Sequence, residues 1–135
     1  MSRPIVPSPL LRRALWADAV ASGASALPMI VAPAWLESVT GLSSALLQPV
    51  GLALLPYVAY LVWLATRAAV PVAAAWLPIV LNLLWAVDCV LLAALAAPRP
   101  SGFGYAFIGL QAAAVLVFAA WQFSGLRTTP GVRPA

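Results

Sequence analysis

The sequence predicts an all-α integral membrane protein, a four-transmembrane-helix bundle that forms one domain over residues 1–135. Hydrophobic residues make up 64% of the chain and charged residues only 7%, whereas soluble domains contain about 25% charged residues. The apolar residues are collected in four runs of roughly 20 residues, each long enough to cross a hydrocarbon layer of about 30 Å as a helix. β-strands do not continue over apolar runs of this length.

Polar or proline-rich breaks separate the runs. The predicted spans are residues 14–35, 44–66, 73–97 and 103–123. Pro49 and Pro56 in the second span remove backbone donors and predict either a kink or a slightly delayed start of the helix. Ser124 and Gly125 are expected to cap the fourth span. The short connections favour an antiparallel, up-and-down order of the helices.

The arginines predict the orientation of the spans. The chain has seven basic residues, all of them Arg. Arg99 alone falls on one side of the predicted spans, and the other six fall on the opposite side: Arg3, Arg12, Arg13, Arg67, Arg127 and Arg133. Short loops rich in Arg stay on the cytoplasmic side of a membrane. We therefore expect a multi-pass protein with both termini in the cytoplasm.

Several function classes are excluded by what the sequence lacks. With no His and one Cys, a haem held by His or a zinc site of several Cys and His cannot form within one chain. No nucleophile motif, phosphate-binding loop or metal-ligand spacing occurs, so we predict no catalytic residue, metal or cofactor and do not expect an enzyme. No basic stripe with interleaved aromatic residues accompanies the net charge of +4, which argues against a nucleic-acid partner.

Asp18 is the first polar residue of interest, because it lies near the predicted start of the first span. It is expected at about the depth of Gln122, and Ser22 and Ser25 continue its helical face. The simplest interpretation is an interfacial carboxylate that pairs with Arg67 or a terminal arginine, or that reaches water. The alternative is an entry site for a proton or cation.

Asn82 lies in the middle of the third predicted span. An Asn at this depth usually hydrogen-bonds a neighbouring helix and so joins the two helices. Tyr57 and Tyr60 in the second span are candidate partners, since tyrosine hydroxyls in lipid also need one.

Asp88 is the acidic residue expected deepest in the hydrocarbon, about eight residues from the outer end of its span. Such residues mark ion or ligand sites often enough to be functional hypotheses, and they also pin helices together. Gln111 is expected at the same depth of the fourth span. We therefore predict that Asp88 and Gln111 hydrogen-bond each other.

Small residues predict the faces through which the helices touch. Gly23, Ala24 and Ala26 in the first span and the alanines at 112–114 in the fourth allow close approach of backbones. Leu54 is expected to face lipid, so that a change there would matter less than one at Gly23.

Three segments carry a resemblance that covers nearly the whole chain. They read LRRALWADAVASGA at residues 11–24, NLLWAVDCVLLA at 82–93 and QAAAVLVFAAWQFSGLR at 111–127. Together they resemble an uncharacterised family of small bacterial four-helix integral membrane proteins. The resemblance implies a location in the inner membrane of a bacterium and implies no activity.

Three functions remain open. The first is an accessory or structural subunit of a membrane assembly, with the lipid bilayer, other membrane proteins or further copies of the chain as partners. The second is an oligomeric small-solute or proton-coupled transporter or channel, because four short helices enclose little volume. The third is a membrane protein that binds a lipophilic ligand with its Trp and Tyr side chains.

Overall fold

The structure, a computed structural model, describes residues 3–131 and consists almost entirely of helices. Five helices follow one another: α1 over Pro9–Val31, α2 over Pro33–Thr40, α3 over Ser44–Thr66, α4 over Val72–Leu95 and α5 over Gly102–Arg127. Two short strands, β1 over Pro4–Ile5 and β2 over Val70–Pro71, pair with each other. Four of the helices, α1, α3, α4 and α5, are long and apolar enough to cross a membrane. The predicted helical class and the number of membrane-length helices are confirmed.

The first long helix begins and ends earlier than predicted. Ser8 caps its start, since its Oγ accepts a hydrogen bond from Leu11 N at 3.2 Å. Pro9 then occupies the first turn, where a missing N–H is tolerated. The helix ends before Ala32, which precedes Pro33 and has a φ of −135°, because the residue before a proline disfavours the helical conformation. Residues 33–40 form the separate helix α2.

The other three spans agree with the sequence more closely, except at the end of the last one. α3 has the predicted bounds and continues through Pro49 and Pro56, and α4 is close to its prediction. The predicted cap at Ser124 and Gly125 is wrong, because α5 continues to Arg127. Gly125 serves another purpose: a Cβ atom there would lie 2.6 Å from the Cα atom of Leu11. The glycine lets α5 approach the start of α1.

The four long helices pack in an order different from their order along the chain. α1 and α5 form the centre of the bundle, α3 packs on α1, and α4 packs on α5. α3 and α4, although consecutive, barely touch. The connection over residues 67–71 ends in a strand, and five extended residues reach at most about 17 Å. The axes of packed helices lie roughly 8–10 Å apart. Residues 67–71 can span a longer distance than this, so the connection allows α3 and α4 to stay apart.

One end of the bundle, here called the terminal end, is closed by contacts of the N-terminal segment. The Ser8 backbone N–H donates to Thr129 Oγ1 at 3.1 Å and the Ser8 hydroxyl donates to the Gly125 carbonyl at 2.7 Å. The Arg12 guanidinium donates to the carbonyls of Ala65 at 2.6 Å and Arg67 at 2.8 Å. β1 and β2 pair beside these contacts. The start of α1 is thereby joined to the last residues of both α3 and α5.

The opposite end, here called the loop end, joins α2 to the start of α5. The Ser101 N–H donates to the Thr40 carbonyl at 2.9 Å. A Cβ atom at Gly104 would lie 2.0 Å from the same carbonyl oxygen, so only glycine fits there. Glu37 accepts hydrogen bonds from the hydroxyl and the backbone N–H of Ser44. These two bonds hold the pKa of the Glu37 carboxyl below its ordinary value.

The predicted contact face of α1 is only partly right. Ala26 is buried, but Ala24 is exposed and a Cβ atom at Gly23 would meet nothing within 4 Å. Leu54 is 8% exposed and belongs to the core, so its expected lipid-facing position is wrong. The glycine of α3 that needs its small size is Gly51, where a Cβ atom would lie 2.7 Å from Met29 Cβ. Because the helices cross at Gly51, Gly104 and Gly125, the stability depends on these positions.

We expect Gly125→Ala to lower the free energy of unfolding by about 1–3 kcal/mol, because the added methyl group overlaps the backbone of Leu11. Gly23→Ala is the matched control, and it should leave stability unchanged or raise it, since alanine favours a helix over glycine. The measurement is thermal unfolding of both variants and the wild type in one detergent. Equal melting temperatures of the two variants would contradict this packing.

Candidate functional site

Asp18 lies at the centre of the bundle. It is on α1, the helix that contacts both α3 and α5, and its side chain is 0% exposed. Its neighbours on the buried face of α1 are apolar residues such as Leu11, Ala14 and Leu15. Since α1 begins at Pro9, Asp18 is nine residues into the helix, or about 13 Å along its axis. The earlier start of the helix therefore moves this carboxyl away from the terminal end.

Each of the other three long helices donates a hydrogen bond to this one carboxyl group. Asp18 Oδ2 accepts from the Tyr57 hydroxyl on α3 at 2.8 Å, from Asn82 Nδ2 on α4 at 2.8 Å and from Gln122 Nε2 on α5 at 2.7 Å. Asp18 Oδ1 accepts from the Ser22 hydroxyl on α1 at 3.0 Å. These five residues are called the Asp18 cluster below. They join all four long helices at one point.

The Asp18 cluster satisfies the hydrogen-bonding capacity of the buried carboxyl group. Its four partners supply two amide groups and two hydroxyl groups that can donate to the carboxyl oxygens. Asn82 Nδ2 also donates to Gln122 Oε1 at 3.2 Å, which orients both amides toward the carboxyl group. Neutral donors thus surround the acidic group where a buried charge would otherwise be very costly.

Among residues 3–131, Asp18 does not form the predicted pair with Arg67 or a terminal arginine, and Arg133 lies outside these residues. Arg67 stacks its guanidinium over the Trp63 ring at 5.7 Å, and Arg12 is engaged by backbone carbonyls. The physical reason is depth: the carboxyl group lies two and a half turns inside α1 and meets polar side chains of its neighbours before it can reach an arginine. The expected common depth of Asp18 and Gln122 is confirmed by their hydrogen bond.

Asn82 joins helices as predicted, but with other partners. It is 3% exposed and bonds Asp18 and Gln122, which lie on α1 and α5. Tyr57, one of the predicted partners, meets Asn82 at the Asp18 Oδ2 atom, to which both donate. Tyr60 instead donates to the Ala74 carbonyl at 2.7 Å, near the terminal end, and so bridges α3 to α4.

The predicted hydrogen bond between Asp88 and Gln111 is also not formed. Gln111 Nε2 donates to Ser25 Oγ on α1 at 3.1 Å. Asp88 is exposed, and among residues 3–131 no group donates a hydrogen bond to its carboxyl. The two residues do border the same cavity. The choice of partner failed because the Gln111 side chain contacts Ser25 on α1.

A cavity of about 520 Å³ opens between α3 and α4. α1 and α5 form its floor, and Ser22, Tyr57 and Asn82 belong both to its wall and to the Asp18 cluster. Most of the wall is apolar, with Leu54, Leu81, Leu84, Leu110, Val115 and Phe118 among the lining residues. We call this space the α3–α4 cavity. It exists because α3 and α4 are held apart by the central pair of helices.

Among the described residues, Trp85 and Asp88 are the two lining residues of α4 whose polar side-chain groups have no hydrogen-bond partner. Trp85 Nε1 is buried and has no hydrogen-bond partner within the described chain. Asp88 lies three residues later and therefore on the same helical face. Within residues 3–131, no group of three or more His, Cys, Asp or Glu is placed to hold a metal ion. The cavity thus has one free donor and one free acidic group in an apolar wall.

We expect Asp18→Leu to destabilise the protein by roughly 3 kcal/mol or more, because it leaves donors on Tyr57, Asn82 and Gln122 buried without an acceptor. Tyr57→Phe removes a donor but leaves the acceptor with others, so about 1 kcal/mol is expected. Thermal unfolding in detergent measures both changes.

Asp88→Leu is the matched control for Asp18→Leu, since it also replaces an acidic residue of a long helix by leucine. It should leave the melting temperature close to that of the wild type, because the Asp88 carboxyl is exposed and holds no helix. A loss of stability at Asp88 as large as that at Asp18 would contradict the central role of the Asp18 cluster.

Comparison with known proteins finds no relative of this chain. The chain matches no protein-family model, and no curated protein and no solved structure matches it. The resemblance to small bacterial four-helix membrane proteins therefore stays a prediction. Function has to be inferred from the Asp18 cluster and the α3–α4 cavity of this chain.

Proposed function

We propose that the protein binds a lipophilic molecule inside the membrane, in the α3–α4 cavity. The observation that carries the proposal is the cavity itself: about 520 Å³, with a largely apolar wall and a few polar groups. Sites for small molecules typically measure about 300–1,000 Å³ and combine an apolar lining with a small number of polar groups that orient the ligand. Both properties support a binding role.

Trp85 supports the proposal independently of the cavity volume. Its indole N–H is buried without an acceptor among the described residues, although buried polar groups in proteins are nearly always hydrogen-bonded. The nitrogen itself is covered by neighbouring atoms, so a rotation of the Trp85 side chain, which lines the cavity, would be needed to let an oxygen atom of a bound molecule accept from it. The ligand is therefore expected to carry at least one hydroxyl or carbonyl oxygen as well as an apolar body.

The path of entry follows from the gap between α3 and α4. The two helices are bridged near the terminal end by the bond from Tyr60 to the Ala74 carbonyl and barely touch elsewhere. In a bilayer such a gap faces the acyl chains, so the ligand would enter sideways from the lipid. Its water solubility is then unimportant, and its partition into the bilayer sets the local concentration.

A role as an accessory subunit of a membrane assembly is the second candidate. It is favoured by the exposed carboxyl of Asp88, which a helix of another membrane protein could cover by entering the same gap. The transport function has no comparable support, since Asp18 is enclosed by its four donors and does not line the cavity.

The proposal includes an orientation in the inner membrane of a bacterium. The helices would run antiparallel, with the terminal end and both termini in the cytoplasm. Arg12, Arg67 and Arg127 lie at or beside the terminal end and Arg99 precedes α5 at the loop end, in accordance with the positive-inside rule. Arg133, which belongs to the same prediction, is outside the described residues.

Binding should depend on the volume of the α3–α4 cavity. The probe is a long-chain vicinal diol with bromine on the chain carbons next to the diol, where it quenches nearby tryptophans, added to the protein in lipid nanodiscs. We expect saturable quenching in the wild type, a smaller amplitude in Trp85→Phe, and loss of saturation in Ala114→Phe, because Ala114 lines the cavity.

Ala113→Phe is the control for the cavity-filling change, since Ala113 is the adjacent residue, is exposed and lies outside the cavity wall. It should bind the brominated diol as the wild type does. Unsaturable quenching in the wild type, or equal binding by Ala114→Phe and Ala113→Phe, would refute the binding function. A stoichiometric membrane protein that co-purifies with the wild type and is lost on Asp88→Leu would support the second candidate instead.

The orientation is tested by cysteine labelling in a Cys89→Ala background. Ala68 and Ala97 are exposed and lie in the connections before and after α4. A membrane-impermeant maleimide should label Ala97→Cys in spheroplasts, and Ala68→Cys only after the membrane is permeabilised. The reverse pattern, or labelling of both sites in sealed spheroplasts, would contradict the proposed topology.

A further inference from the structure

The α3–α4 cavity carries a charge of one sign only. Asp88 is the sole Asp, Glu, Lys or Arg among its lining residues in the described chain, and it is exposed. No arginine lines the cavity. The Asp18 carboxyl lies directly behind the wall, bonded to the lining residues Ser22, Tyr57 and Asn82. Any molecule in the cavity therefore sits in a negative potential.

The Asp88 carboxyl group lies well inside α4, where no described side chain donates a hydrogen bond to it. It lies seven residues before the last residue of α4, or about 10 Å along the helix axis. An acidic side chain at such a depth is costly unless it is paired. Within residues 3–131 no donor reaches it, whereas Asp18 has four.

The aromatic residues of the cavity favour the same ligand charge. Tyr57, Trp85 and Phe118 all line it. The faces of aromatic rings attract cations and most strongly so in desolvated sites. Small metal ions are a poor match, because a hard cation needs several oxygen ligands and only one free carboxyl is present.

We propose that the ligand is a lipophilic amine, held by its ammonium group against Asp88 and by an oxygen atom against Trp85 Nε1. This inference rests on the proposed binding function and adds the charge of the ligand. Asp88 and Trp85 are three residues apart on one helical face, so the ligand needs its ammonium group and its oxygen atom near one another, as in an amino alcohol at the head of an apolar chain.

Free amines and phospholipid headgroups both carry ammonium groups, and the cavity favours the free amine. A zwitterionic phospholipid would bring a phosphate close to Asp88 and the Asp18 cluster, which repel it. Its headgroup also lies at the membrane interface, whereas Asp88 lies about two turns inside α4. A long-chain amine without a phosphate can move to the required depth.

The experiment compares two brominated probes of equal chain length in nanodiscs, a vicinal amino alcohol and the vicinal diol. Quenching of the wild type should saturate at an amino alcohol concentration on the order of tenfold lower than for the diol, as expected for one desolvated charge pair. In Asp88→Asn the two probes should bind almost equally. In Glu37→Gln, which makes the same change of net charge outside the cavity, the preference should stay as in the wild type.

The outcomes separate the two proposals. If both probes bind the wild type equally and Ala114→Phe abolishes both, the cavity is a binding site and the charge preference is refuted. If neither probe saturates, both proposals fail. A preference that is unchanged in Asp88→Asn would show that another group recognises the ammonium and would overturn the assignment of Asp88. Competition by phosphatidylethanolamine as effective as that by the amino alcohol would overturn the choice of a free amine.

Discussion

The bundle depends on one oxygen atom. Asp18 Oδ2 accepts hydrogen bonds from α3, α4 and α5, so three helices are located by their distance from a single atom of α1. Apolar contacts between membrane helices specify orientation weakly, because lipid chains are as apolar as leucine. A shared acceptor specifies the relative rotation of all four helices at one depth. The apolar clusters on either side of this depth then complete the packing.

The order of packing explains how the bundle contains a cavity. α3 is attached to α1, α4 is attached to α5, and the two pairs meet along α1 and α5. If α3 and α4 touched along their whole length, the space between them would be filled by side chains. The Asp18 cluster at the centre of the bundle and the bond from Tyr60 to Ala74 near the terminal end instead hold the outer helices at two levels. Toward the loop end the gap contains Trp85 and Asp88.

The spans could be predicted from the sequence because apolar length depends on local composition alone. The ends of the helices were harder to predict from the sequence. α1 is capped by Ser8 and starts at Pro9, before the apolar run begins, and it ends early because Pro33 lies within that run. The residues of the cluster were recognisable as polar residues in apolar spans, and the depth of Gln122 indicated its proximity to Asp18. The hydrogen-bond partners of these polar residues could not be predicted, since they depend on which helices are neighbours in the bundle. That order is set by close contacts such as those at Gly51 and Gly125.

α3 and α4 are the outer helices of the bundle, and each packs on one helix of the central pair. At the terminal end, Arg12 contacts the last carbonyls of α3, and β1 pairs with β2, which directly precedes α4. Tyr57 on α3 and Asn82 on α4 share one acceptor, Asp18 Oδ2. The separation of the two outer helices at this depth is therefore fixed by the sum of two hydrogen bonds, and a wider separation would have to lengthen at least one of them.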